Sequence, residues 1–136
     1  GCAQIKKINK FQTFRKKVFS YYDKKFINDK NISILPKPKF TENSYWLYTI
    51  LIKNFNEKKR NLLIESLKNN GIETRPGFYP LNNMPGYKKF SRGQYKVSHF
   101  VSSKTISLPS SPNLKKNEIN RIVNIFYKNL TKLINL

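Results

Sequence analysis

The seventeen residues "GIETRPGFYPLNNMPGY", Gly71 to Tyr87, concentrate most of the chemistry this sequence can offer. They hold three prolines, three glycines, three aromatic residues and one arginine. A guanidinium such as that of Arg75 is a planar fork that grips a carboxylate or a phosphate through two hydrogen bonds. Pro76 biases Arg75 towards extended backbone, and Pro80 does the same to Tyr79. Gly77 removes a side chain and lets another backbone or a ligand approach closely. Pro85 pins the far end. The segment therefore reads as a stiff, irregular loop leaving a strand end, with the Arg75 fork and the rings of Phe78 and Tyr79 held in fixed directions. Rings beside a guanidinium can stack on a flat ligand or wall a pocket. The same residues allow a plainer reading, in which Phe78 and Tyr79 cap the domain core and Arg75 pairs with a nearby glutamate.

No other stretch forms a self-contained reactive constellation. With one histidine, His99, and one cysteine, Cys2, a zinc site of the usual kind cannot be assembled. His99 falls in a segment rich in Ser and Val and reads as a half-buried packing residue. There is no Gly-rich phosphate loop, and seven acidic residues are too thinly spread to suggest an acid/base pair. A lone cysteine forms no internal disulfide and suits a reducing, cytoplasmic setting.

Net charge raises a different question. Lys and Arg number 27 in 136 residues, giving a formal charge of +20. Five of these are Arg (15, 60, 75, 92 and 121), so 22 are Lys. The lysines are spread along the whole chain and accompany many Asn and Ile residues, as A/T-rich codons would produce. A polyanion-binding module would interleave basic and aromatic residues on one exposed face. Here most aromatics fall on helix inner stripes or on one apolar strand. Non-specific, salt-sensitive attraction to polyanions is expected; specific nucleic-acid binding is not.

The elements that must position the loop follow from periodicity. Ile5, Ile8, Phe11, Phe14, Val18, Tyr22 and Phe26 recur at steps of three and four, which predicts one helix over residues 1–27. It begins at Gly1 with no capping residue, in mid-pattern, so the natural chain is expected to continue upstream and Ile5 and Ile8 to lie exposed. Residues 28–44 read as a connection with a short extended piece at 32–35. "YWLYTILI" (45–52) reads as a central strand, apolar on both faces and covered on both. The run is too short to span a membrane. Asn54 or Asn56 can cap a helix over 57–69, with Leu62, Leu63 and Leu67 inward, and Gly71 stands where a helix C-cap wants glycine. "IETR" (72–75) reads as a short strand, residues 91–104 as containing a short helix, and "TISLP" (105–109) as a third strand. Ile119, Ile122, Val123, Phe126, Leu130 and Leu133 predict a final amphipathic helix over 116–134. The sum is an α+β domain, helices packed on a small three-stranded sheet.

"GIETRPGFYPLNNMPGY", followed by "ISLPSSPNL" and the final helix, resembles the C-terminal domain of the DegT/DnrJ/StrS family of PLP-dependent sugar aminotransferases. "CAQIKKINKF" with "YYDKKF" is similar to that family's long helix linking its large and small domains, and "NSYWLYTILI" to its first small-domain strand. The resemblance covers essentially the whole chain in order. It implies the small C-terminal domain of the type I aminotransferase fold, with residues 1–27 a linking helix from a large domain outside this sequence and 28–136 the small domain. It implies amino transfer from an amino acid, L-glutamate, to a keto nucleotide-sugar, with pyridoxal 5'-phosphate as cofactor and a homodimer as the assembly. The Schiff-base lysine and the phosphate-binding residues belong to the large domain in this family, so the resemblance places no catalytic residue in this chain and predicts that it is inactive alone. The loop from Arg75 through Phe78 and Tyr79 to Asn82 comes near cofactor and substrate in such enzymes. Asn82 stands where many members have His, and Gly77 where many have a larger residue. Trp46, where many have His, resembles the subgroup that makes perosamine-like sugars from GDP-4-keto-6-deoxymannose; core packing is the plainer reading of Trp46. A PLP-dependent sugar dehydratase or a non-catalytic relative would share these features.

Overall fold

The computed structural model describes residues 1–134. Its elements are helix α1 (Cys2–Ile5), helix α2 (Ile8–Phe26), strand β1 (Ile32–Ile34), strand β2 (Tyr48–Ile52), helix α3 (Glu57–Asn69), strand β3 (Arg75–Pro76), helix α4 (Lys96–Lys104), strand β4 (Thr105–Leu108) and helix α5 (Lys116–Ile134). Short 3₁₀ turns occupy Leu81–Asn83 and Lys88–Phe90.

The three expected strands do form one sheet, but it has a fourth member. The order is β1-β2-β4-β3, every pair antiparallel. The extended piece at 32–34 is the added edge strand, pairing Ile32 with Ile52 and Ile34 with Ile50. Of the expected strand 72–75 only Arg75 pairs, joined by Pro76, because the stretch before it is already engaged. Gly71 ends α3 at φ +72, with Gly71 N–H bonded to Lys68 O and Ile72 N–H to Leu67 O. That pair of hydrogen bonds is the Schellman closure of a helix, and it takes the Ile72 amide out of the ladder.

One face of the sheet carries the core. Tyr48, Ile50 and Ile52 of β2 and Ile106 and Leu108 of β4 are buried, and they join Tyr22 and Phe26 of α2, Leu63 and Leu67 of α3, and Ile119, Val123 and Phe126 of α5. Asn56 caps α3, its Oδ1 accepting from Lys59 N–H at 2.9 Å. The inner stripe of α3 differs from expectation: Leu62 is exposed, and Arg60 takes the inward position one turn before Leu63. The other face of β2 is also not covered as expected. Thr49 and Leu51 alternate with the buried positions and are only half-buried.

The first helix is interrupted at Lys6–Lys7, where Lys7 leaves helical backbone at φ −108, ψ 6. Ile5 and Ile8 are exposed, as expected. A stripe with nothing to pack against gives a short helix little reason to continue.

Where α2 meets the sheet, aromatic packing is dense. Tyr22 and Tyr48 stack at 4.6 Å between centroids, and Phe19 meets Tyr48 edge-on at 5.0 Å. Tyr48 Oη donates to Asp23 Oδ1 at 2.9 Å and Tyr22 Oη to Pro109 O at 2.9 Å. Burial pushes both phenols well above their ordinary value, and the Asp23 carboxylate adds to the rise at Tyr48. The unfolded chain would ionise these phenols near pH 10, whereas the folded chain holds their protons. The stability they contribute is therefore complete below about pH 10 and is lost as pH rises further. In an alkaline titration, ionisation of Tyr22 and Tyr48 is expected as a cooperative step coinciding with loss of helical circular dichroism. Ionisation of these two phenols with the fold intact would contradict the burial.

Candidate functional site

Strand β2 does not begin at Tyr45 because the backbone turns there. Tyr45 lies in the left-handed region at φ 52, and its N–H is held by Asn43 Oδ1 at 2.7 Å. This conformation costs an ordinary residue about 1–2 kcal/mol. It reverses the side-chain alternation: Tyr45 packs edge-on against Phe19 at 5.1 Å, whereas Trp46 is 60% exposed. Core packing of Trp46 is thus excluded. Its carbonyl is held by Ser110 Oγ at 2.9 Å.

Trp46 meets Phe78 across the open face of the sheet, with ring centroids 6.1 Å apart and planes inclined by 37°. Phe78 is 77% exposed, so it does not cap the core, and neither does the partly exposed Tyr79. The two rings stand at a cavity of about 610 Å³. Its floor is the sheet, where Thr49 and Ser107 are directly paired in register and joined Oγ1 to Oγ at 2.8 Å. Val97 and Val101 of α4 form a further wall. Apolar rings around a few hydroxyls make the usual composition of a small-molecule site.

Gly77 gives the loop its close seat. Its N–H bonds Thr105 O at 3.1 Å, and a Cβ at this position would lie 1.9 Å from Thr105 Oγ1. The close approach read from the sequence is made by a strand of this chain.

The other expected residues are distributed around this cavity rather than inside it. Arg75 is opposite Ser107 in the β3–β4 register, but its side chain lines an adjoining groove of about 560 Å³ with Glu73, Glu118 and Arg121; Leu47 and Ser107 border both. It touches Glu73 at 3.4 Å, with both side chains more than three-quarters exposed. Tyr79 packs over Arg60, the guanidinium carbon lying 5.9 Å from the ring centroid. Asn82 Nδ2 lies 3.0 Å from His99 Nε2, and Asn83 Nδ2 lies 3.3 Å from His99 Nδ1. His99, half-buried as expected, ties the 3₁₀ turn to α4.

The sequence reading missed Arg60. Its side chain is wholly buried, yet Arg60, Leu63 and Leu67 lie at i, i+3 and i+7, so the position was on the inner stripe all along.

A family model for the DegT/DnrJ/EryC1/StrS aminotransferases matches residues 1–127. The chain belongs to this aminotransferase family. Among curated relatives of the family, GDP-perosamine synthase of Escherichia coli O157:H7 is 31% identical over 133 residues, 93% of this chain and 34% of that protein. GDP-perosamine synthase of Vibrio cholerae is 29% identical over 125 residues, 91% of this chain and 34% of that protein. The chain thus spans about a third of the length of the relatives it matches. Among solved structures, Spr1654 of Streptococcus pneumoniae, assigned as a sugar aminotransferase, superposes in its apo form with a TM-score of 0.91 at 25% identity, covering 99% of this chain and 34% of that one. PseC of Helicobacter pylori, an aminotransferase of pseudoaminic acid biosynthesis, shares the fold with a TM-score of 0.87 at 24% identity, covering 97% of this chain and 36% of that one.

Related family structures carry PLP and PMP. The donor set of the aromatic cavity does not suit covalent attachment of such a group. No lysine and no carboxylate lines it among the described residues, whereas a PLP enzyme needs a lysine and works best with a carboxylate at the ring nitrogen. The adjoining groove offers two arginines and two glutamates but no lysine.

Proposed function

We propose that this chain is the small, C-terminal part of a PLP-dependent aminotransferase that moves an amino group from L-glutamate to a keto nucleotide-sugar. The observation that carries the reading is the Trp46–Phe78 cavity with its hydroxyl floor, on a sheet face that the helices of the core leave open. The likeness to GDP-perosamine synthases supports GDP-4-keto-6-deoxymannose as acceptor. In this reading Trp46 and Phe78 hold a flat face of the ligand, and the hydroxyls of Ser107 and Thr49 meet its polar edge. Tyr79 and Asn82 extend the wall, and Arg75 reaches a carboxylate or phosphate from the neighbouring groove. PLP supplies the electron sink when bound. Its lysine belongs to a large N-terminal domain, so this chain contributes binding, orientation and exclusion of water but no catalytic residue. A homodimer and a cytoplasmic setting complete the proposal.

The test uses the full-length enzyme with L-glutamate and GDP-4-keto-6-deoxymannose, following 2-oxoglutarate and the amino sugar. Both products are expected. Failure to aminate any keto nucleotide-sugar, or removal of a sugar hydroxyl instead, would overturn the reading. In the same assay Trp46→Ala is expected to raise KM for the nucleotide-sugar by roughly fivefold, because one aromatic contact is worth about 1 kcal/mol. Little change in kcat should accompany it. An unchanged KM would remove Trp46 from the site.

A further inference from the structure

Arg60 is an unusual choice for an inner position of α3. A methionine or leucine would fill such a place at no electrostatic cost, since withdrawing a charge from water is expensive unless it is fully paired. Arg60 is fully buried, and each of its three nitrogens donates a hydrogen bond. Nε donates to Asn61 Oδ1 at 3.0 Å, Nη2 to Glu57 Oε1 at 3.1 Å, and Nη1 to the carbonyl of Ser102 in α4 at 2.5 Å. The guanidinium then faces the ring of Tyr79 at 5.9 Å. Three separate pieces of chain thus meet on one side chain: the start of α3, the end of α4 and the loop.

The loop segment is short and held at both ends. Gly77 is bonded to Thr105 O of β4 at 3.1 Å, and Tyr79 rests on Arg60 of α3. Between these two anchors lies Phe78, whose exposed ring faces Trp46 across the cavity. A shift at either anchor must move the Phe78 wall. We infer that Arg60 is a positioning residue: by seating Tyr79 it fixes the direction of Phe78 and so sets the width of the ligand slot. This deepens the proposed function and rests on it for the identity of the ligand.

The experiment uses the full-length enzyme and the variants Arg60→Lys, Tyr79→Leu and Tyr79→Phe, with the double variant Arg60→Lys/Tyr79→Leu. Lysine keeps the charge but lacks the fork and the flat face. Arg60→Lys and Tyr79→Leu are each expected to raise KM for the nucleotide-sugar by roughly three- to tenfold, the scale of a desolvated cation–π contact, with kcat within about twofold. Tyr79→Phe keeps the ring over Arg60 and should keep the Gly77 amide as protected as in the wild type. The double variant should be no worse than Tyr79→Leu alone, because both changes break one contact. A second readout needs no substrate. The Gly77 amide should exchange its hydrogen faster in Arg60→Lys and in Tyr79→Leu, with the β2 amides unchanged.

The outcomes separate the two ideas. Faster Gly77 exchange in an enzyme that aminates no sugar upholds Arg60 as the loop anchor and sinks the proposed function. Unchanged exchange and unchanged KM in Arg60→Lys overturn the inference, as does a fall in Tm without either effect. If Arg60→Lys does not fold, the Tyr79 pair still decides: Phe and Leu variants with the same KM and exchange would show that the ring face against Arg60 positions nothing.

Discussion

Replacing Arg75 with Lys in the full-length enzyme is expected to lower kcat/KM by roughly ten- to more than a hundredfold and to leave the fold intact. The magnitude follows from losing one charge-assisted hydrogen bond, about 1.5–3 kcal/mol. Lysine carries the same charge but offers a point where arginine offers a fork. The structure makes this a clean experiment. The Arg75 side chain is 76% exposed and its contact with Glu73, at 3.4 Å, is equally exposed. Such a pair contributes about 0–1 kcal/mol to stability, so Tm should not move by more than a few degrees. Nothing in the core depends on this residue, and its backbone is held by the β3–β4 ladder opposite Ser107. An exposed fork on a fixed edge, beside a groove that also holds Arg121, is suited to take a partner from outside the chain.

Glu73→Gln separates the two uses of Arg75. If the arginine exists to pair with Glu73, the plainer reading of the sequence, Glu73→Gln should reproduce the loss seen with Arg75→Lys. If the arginine serves a ligand or another domain, Glu73→Gln should keep wild-type kcat/KM within about twofold. Wild-type kinetics in Arg75→Lys would show that the groove takes no part in the reaction.

The parts of the fold that were legible in the sequence are those in which one residue decides one local geometry. Asn56 caps α3 and Gly71 closes it at φ +72 because a side-chain acceptor and a missing Cβ are needed at those two places. The stripe of α5 was legible because six apolar residues repeat with helical spacing, and five of them are buried while Leu133 packs at the margin. What was illegible depends on competition between neighbours. "IETR" has the composition of a strand, but the helix before it claims the Ile72 amide, so pairing starts only at Arg75. "YWLYTILI" has the composition of a strand buried on both faces. The left-handed turn at Tyr45 divides it, sending one ring to the core and the next to solvent. No pattern of apolar residues encodes that turn; the Asn43 side chain that holds it does. Arg75, Phe78 and Tyr79 are all exposed, yet Arg75 and Phe78 open on adjoining cavities rather than one, and Tyr79 lines neither. That division depends on which face of which strand each residue leaves, which spacing within a proline-rich loop does not reveal.

Gly77→Ala tests the seat on which the site rests, and it is expected to destabilise the protein by about 1–3 kcal/mol, lowering Tm by several degrees. Two glycines in this region are needed for different reasons. Gly71 supplies a left-handed backbone, whereas Gly77 has no such φ, so alanine there carries no backbone strain. The whole effect is contact. A Cβ at residue 77 would lie 1.9 Å from Thr105 Oγ1 and 2.9 Å from Thr105 Cβ, far inside contact distance. Thr105 cannot easily yield. It is 2% exposed, its Oγ1 donates to Val101 O at 2.9 Å, and a β-branched side chain has few rotamers to offer. Its backbone is fixed opposite Leu51 in the sheet. The loop must therefore lift, stretching the bond from Gly77 N–H to Thr105 O and carrying Phe78 away from Trp46. The loss of stability should consequently come with a raised KM for the nucleotide-sugar. Thr105→Ala provides the control. Removing Oγ1 relieves the worst contact but leaves the one at 2.9 Å, so the double variant should recover part, not all, of what Gly77→Ala loses. Additive losses in that cycle, or a wild-type Tm in Gly77→Ala, would mean that the loop has slack at its base and that its rings are positioned by something other than this close approach.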